Sequence, residues 1–164
     1  MAWAYASVKI ASTFPQTKGA IGMSDILTLA VTYSDAWSRH DPQAIAALHT
    51  EDSVFHVHDI LDAYVGRAAI AEAAAAFFAD SPDLAFERGR IHLGDDHIVS
   101  EYVMSGTLLG RRFACEGTDI FSVRDGLVAR KDSYIDWLTY QAQTGVDMTQ
   151  RGARLLPALE PLAI

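Results

Sequence analysis

The sequence predicts an α+β fold, a cone-shaped curved antiparallel sheet wrapped around N-terminal helices and open at one end. Three observations carry that expectation. Helical periodicities fill most of the chain as far as Asp80, while the stretch from Leu84 to Asp136 alternates apolar and polar residues as strands do. Three short turns, "GDD", "LGR" and "RDG", break that stretch as antiparallel hairpins require. Helices first and strands afterwards is the α+β order, not the alternation of α/β folds.

The elements follow in order. Ser24 or Asp25 caps a helix that runs to about Arg39 and lines up Ile26, Ala30, Tyr33 and Trp37 on one face. "HDP" ends it, and Pro42 opens a second short helix, "PQAIAALH". A strand, "SVFHVHDI", comes next, then a loop closed by Gly66. "RAAIAEAAAAFFAD" is a third helix with Ile70, Ala74, Phe77 and Phe78 as its core stripe, and Pro82 stops it. The meander then reads "LAFERGRIHLG", "HIVSEYVMSGTLLG", "RRFACEGTDIFSVR" and "LVARKDSYID". "WLTYQAQTG" adds a last helical turn or so.

At 164 residues the chain suits one domain with a core of its own. A net charge of −8 argues against nucleic acid as a partner, because phosphate binding needs a basic face. No apolar run reaches the length of a membrane span. The lone Cys115 can form neither an intramolecular disulfide nor a thiolate zinc site, and it fits a cytoplasmic location. Residues 1–22 lack the continuous apolar core of a signal peptide, since Lys9 and Lys18 interrupt it. They read as an extension to a domain spanning 23–145, with Met23 as an alternative start. Residues 146–164 form an apolar tail that packs on the body or binds a partner.

One acid stands out. Asp119 shares a strand face with Gly117, Phe121 and Val123. A carboxylate on an apolar face must be paired, protonated or employed. The sequence offers no lysine or arginine beside it on that face, so Asp119 is expected to be neutral and hydrogen-bonded to Tyr33.

"YSDAWSRHDPQAIAALHTEDSVF", "GRAAI" and "GTDIFSVRDGLVARKDSYID" together resemble the nuclear-transport-factor-2-like superfamily and its SnoaL-like branch. That group includes polyketide cyclases, ketosteroid isomerases, scytalone dehydratases and limonene epoxide hydrolases. The resemblance covers 23–145 and implies a cystatin-like α+β roll around a cavity. Matched to the ketosteroid isomerases, the catalytic tyrosine lies eight residues before Asp41, at Tyr33. The protonated oxyanion-hole aspartate, two residues before a phenylalanine, falls on Asp119. The general-base position falls on Val57. Matched to the epoxide hydrolases, the water-activating residues fall on Tyr102, Met104 and Ser133, so that set is absent.

The resemblance implies a cofactor-independent isomerase or lyase acting on a small, apolar, oxygenated molecule. Its chemistry is enolate-type: isomerisation, dehydration or cyclisation. Tyr33 and Asp119 stabilise the oxyanion, as in ketosteroid isomerase. His58 or Asp59, turned into the pocket mouth by a bulge, moves the proton. Trp37, Phe55, Val57, Tyr102, Met104, Phe113, Phe121 and Ile135 form the pocket wall. Ser133 orients the ligand, and Lys131 either reaches the cavity or snorkels outward. The alternative is a non-catalytic ligand-binding or dimerisation module. It gains if Val57 faces the cavity and no titratable group lies within reach of Asp119.

His56 and His58 share a face at a spacing that suits two metal ligands. The sequence places no third ligand opposite them, so neither metal nor cofactor is expected. His40, His49, His92 and His97 read as surface or capping residues. Asp132, Tyr134 and Asp136 fall on the outer face of the last strand. Val103, Thr118, Ile120 and Tyr134 form an apolar-polar mosaic there, which suits a homodimer joined sheet to sheet.

Overall fold

The computed structural model describes residues 23–59 and 62–148; the expected N-terminal extension and the tail beyond 148 lie outside the described residues. The order is α1 (Met23–Ser38), α2 (Pro42–Ala47), β1 (His49–Val57), β2 (Tyr64–Val65), α3 (Arg67–Asp80), β3 (Ala85–Leu93), β4 (His97–Leu108), β5 (Arg111–Arg124), β6 (Leu127–Ile135) and α4 (Trp137–Thr144). None of the described helices is long and apolar enough to cross a membrane.

Local chemistry sets the boundaries. Asp41 caps α2 by accepting from the Ala44 N–H at 2.9 Å, and Pro42 supplies a first helical residue with no N–H to satisfy. Asp136 caps α4 in the same way through the Thr139 N–H, and Gly145 in the left-handed region ends it. The β4–β5 and β5–β6 turns place two successive residues at positive φ, Leu109–Gly110 and Asp125–Gly126. That backbone matches the twist of a two-residue hairpin.

The strands form a six-stranded sheet in the order β2-β1-β6-β5-β4-β3. Every neighbouring pair is antiparallel except β1–β6, which runs parallel. Hairpin signals could not reveal that pair, because α3 and four strands separate its members in sequence. A register shift between His49 and Val54 marks the same pairing.

The helices cover the inner face. Ile26, Ala30, Tyr33 and Trp37 on α1 are buried, as are Ile70, Ala74 and Phe78 on α3. Inward positions of β5 alternate strictly: Phe113, Cys115, Gly117, Asp119, Phe121 and Val123 are all buried. Ile26, Ile45 and Ile70 have no exposure, and burying such a side chain stabilises the fold by roughly 1.5–3 kcal/mol. Ile70→Ala, which also leaves a cavity, should cost about 2–5 kcal/mol.

Candidate functional site

Register decides which side chains meet. Asp119 pairs with Ser133, Phe121 with Lys131, and Gly117 with Ile135 across β5–β6. Across β1–β6, Phe55 pairs with Lys131 and Val57 with Ser133. Partners at one register level share a face, so β1, β6 and β5 bring Phe55, Val57, Lys131, Ser133, Asp119 and Phe121 to the same side.

Asp119 is the polar centre of this face. It accepts hydrogen bonds from the Ser133 hydroxyl at 2.6 Å and the Tyr102 hydroxyl at 2.9 Å. Lys131 Nζ lies 2.9 Å from its other oxygen. The reach of Tyr102 depends on Gly117, its partner on β5, where a Cβ would come within 2.5 Å of the Tyr102 ring.

Two expectations about this centre are therefore corrected. Asp119 has a cationic partner, which comes from the neighbouring strand and not from its own. It is also not bonded to Tyr33, whose hydroxyl meets His49 Nε2 at 3.0 Å. Lys131 does not snorkel. It is 5% exposed, and its ammonium sits over four aromatic rings, Phe55 at 4.6 Å, Trp37 at 4.7 Å, Tyr33 at 5.4 Å and Phe121 at 5.5 Å. Burial works to lower the lysine's pKa, but Asp119 and then Tyr33 outweigh it, and the group stays above its ordinary value. Lys131 is a buried ammonium ion.

His49 is the residue that sequence reasoning missed. It starts β1, which begins at His49 and not at Ser53, and it has no exposed surface. Its Nδ1 meets the Ser53 hydroxyl at 2.8 Å. Burial, then the charges of Lys131 and Arg67, hold its pKa down to about 3, so the imidazole is neutral. Burial raises the Tyr33 phenol, while Lys131 acts to lower it. The phenol oxygen turns its lone pairs toward the ammonium and its proton toward the imidazole. Tyr33 thus donates to His49, and the tautomer that accepts it carries its own proton on Nδ1, toward Ser53. The Trp37 indole N–H faces the same phenol oxygen and completes no hydrogen bond among the described residues.

Two cavities meet at Lys131. The larger, about 160 Å³, takes in the expected wall residues Trp37, Phe55, Val57, Tyr102, Met104 and Phe113, together with Lys131, Ser133 and Ile135. The smaller, about 70 Å³, is lined by Tyr33, Asp119 and Phe121 and shares Trp37, Phe86, Tyr102 and Lys131 with the larger. Helix α4 and the segment after it add Trp137, Tyr140, Val146 and Met148 to the larger cavity. Phe86, inward by alternation with Leu84, and the i, i+3 pair Trp137 and Tyr140 were the legible signals for those additions.

His58 and Asp59 line neither cavity. The His58 imidazole lies on the convex face, with Nε2 2.8 Å from Asp132 Oδ1 and its ring stacked on Tyr134 at 4.3 Å. Asp59 is exposed at a positive φ. The bulge that was to bring one of them inward is displaced to the start of β1, where it helps seat His49 instead. Val57 faces the larger cavity, but Lys131 and Tyr102 both lie within reach of Asp119. The condition set for a purely binding module is met in its first half and fails in its second.

The fold has known counterparts. A protein with a ketosteroid isomerase-like fold from Catenulispora acidiphila, solved with trimethylamine, matches with a TM-score of 0.68 and 21% identity, over 74% of this chain and 95% of its own. A candidate polyketide cyclase from Xanthomonas campestris matches with a TM-score of 0.64 and 24% identity, over 74% of this chain and 97% of its own. An NTF2-like protein from Burkholderia thailandensis matches with a TM-score of 0.64 and 18% identity, over 70% of this chain and 93% of its own. At such identities the likeness is one of fold. No protein among the curated sequences matches the chain. The sequence model of the SnoaL-like domain matches residues 30–131, most of the described structure, and the chain belongs to that family.

Proposed function

We propose that the chain is a small-molecule enzyme that holds an apolar, oxygenated substrate in the larger cavity and stabilises its enolate on Lys131. One observation carries this reading: a buried ammonium stands at the junction of two mostly apolar cavities. Of its three protons, one goes to Asp119 and one turns to the Tyr33 oxygen. The third is free for a substrate oxygen. A fixed charge in a water-excluded site accelerates formation of an oxyanion by about 10²–10³-fold. Lys131 thereby takes the oxyanion role expected of Tyr33 and Asp119, and we assign the proton transfer to Asp119, which lines the smaller cavity where it meets the larger one at Lys131. The likeness to ketosteroid isomerase-like and polyketide cyclase-like folds supports enolate chemistry of the isomerase or lyase kind.

A specific observation favours a second reading. Tyr102, Ser133 and Lys131 already occupy the acceptor sites of Asp119, which suits a carboxylate that positions and does not react. In that case the cavity binds an oxyanion without turning it over. Proton exchange separates the two. With 2-tetralone in D₂O, the enzyme reading expects deuterium at the α-carbon faster than in buffer, with the gain lost in Lys131→Met. Binding of the ketone with no faster exchange would leave the non-catalytic module as the better description. Exposed Val103 and Ile120 on the convex face support the homodimer we propose there. Light scattering that gives a monomer at micromolar concentration removes it.

A further inference from the structure

We propose a second site, for a divalent transition-metal ion, on the convex face of the sheet, with His56, His58 and Asp132 as ligands and water completing the coordination. The third ligand that the sequence could not place is supplied by β6. His56 and Asp132 are direct partners across the parallel β1–β6 pair, and His58 follows at the next position on the same face. One donor atom from each residue lies within 4.8 Å of the other two. Metal–ligand bonds of about 2.0–2.2 Å in a tetrahedral site need donors roughly 3–3.5 Å apart, so the widest of these separations has to close on binding.

The surroundings hold the donors in place. The rings of His56 and His58 lie 4.0 Å apart, and Tyr134 stacks on His58 with the planes 7° from parallel. The backbone of His58 is pinned on both sides: its N–H donates to the Ser133 carbonyl at 2.9 Å, and its carbonyl accepts from the Trp137 indole at 3.0 Å. Arg130 grips Asp132 with Nε on Oδ2 and a terminal nitrogen on Oδ1, both at 2.6 Å. An ion pair between Arg130 and Asp132 needs neither histidine. On metal binding, His58 takes the tautomer with its ring proton on Nδ1, and the Nε2 lone pair exchanges its contact with Asp132 for the metal. Arg130 stays on Oδ2 as the outer partner that orients the carboxylate.

Two imidazoles and one carboxylate select Zn²⁺, Ni²⁺ or Cu²⁺ over Mg²⁺ and Ca²⁺, which want oxygen ligands. Side-chain exposures of 25% for His58 and 15% for Asp132 leave the ion a path in and room for water. The site is separate from the cavity, because side chains alternate across the sheet and these leave by the opposite face.

Calorimetric titration of the tag-free full chain with Zn²⁺ tests the proposal. The expected result is saturable uptake of one ion per chain. His56→Ala, His58→Ala and Asp132→Asn should each weaken it by at least about tenfold. A His92→Gln/His97→Gln double variant removes the other exposed histidines that stand near carboxylates and should bind as the parent does. Circular dichroism checks folding of each variant. Should any of the three lose its fold, Cu²⁺ electron paramagnetic resonance on the parent decides, with nitrogen splitting from two imidazoles expected. No saturable uptake, equal uptake in His56→Ala and the parent, loss of binding in the His92/His97 variant, or a Cu²⁺ spectrum without two nitrogen ligands would each overturn the site.

Discussion

Strand β6 carries two acid–base groupings that differ only in the side of the sheet they face. Lys131 and Ser133 point inward to Asp119, while Arg130 and Asp132 point outward to His58. The inner lysine and aspartate side chains are 6% and 10% exposed; Arg130 outside is 45% exposed. The chemistry of the pairs is alike and the solvent is not. Water screens the outer pair and can replace either partner. Inside, each charge depends on the other, because the desolvation cost of a buried ion is recovered only through its partner. The same local sequence therefore builds an exchangeable surface cluster and a fixed charge one residue apart.

The largest effect should come from breaking the inner pair. Asp119→Asn leaves the Lys131 ammonium without its counter-charge and should cost about 3–5 kcal/mol in chemical denaturation. The Lys131→Met/Asp119→Leu double variant removes both charges and should recover most of that loss, since apolar replacement of a buried pair is often neutral or better. If Asp119→Asn melts like the parent, the pair is solvated and the contrast between the two faces collapses.

His49 extends the inner region and gives the next effect. Its folded pKa of about 3 lies below the unfolded value of 6.5, so between those limits the unfolded chain binds more protons. The stability it contributes is whole above pH 6.5 and is lost as pH falls toward 3, at up to about 1.4 kcal/mol per pH unit. His49→Gln should flatten that part of the pH–stability curve. An unchanged slope would place the acid sensitivity elsewhere.

The smallest effect belongs outside. Arg130→Gln should cost no more than about 1 kcal/mol, and 1 M salt should shrink the difference further. A loss comparable to that of Asp119→Asn would mean that the outer cluster is as desolvated as the inner one.

Alternation made much of this legible. It placed Asp119, Phe121, Lys131, Ser133 and Ile135 on the inner face and Asp132 and Tyr134 on the outer one. Helical periodicity placed Tyr33 and Trp37 in the core. Pairing across strands was not legible. Asp119 looked uncompensated because its cation comes from β6, and Tyr33 was matched to Asp119 because its actual partner lies on β1, joined to the sheet by a parallel pair that no turn announces. His49 was lost for a smaller reason: its strand starts ahead of the apolar alternation, across an irregular register, so it read as the end of α2.

The account stands on Lys131 as a charged donor aimed into the cavity, and the ionisation of bound 2-naphthol, the aromatic counterpart of the 2-tetralone enol, tests it most directly. Absorbance titration of the complex against pH should show the bound phenol ionising below its free-solution value, and Lys131→Met, checked for folding by its melt, should abolish the shift. A bound naphthol that ionises at or above its free-solution value, or one shifted equally in Lys131→Met, would contradict the account.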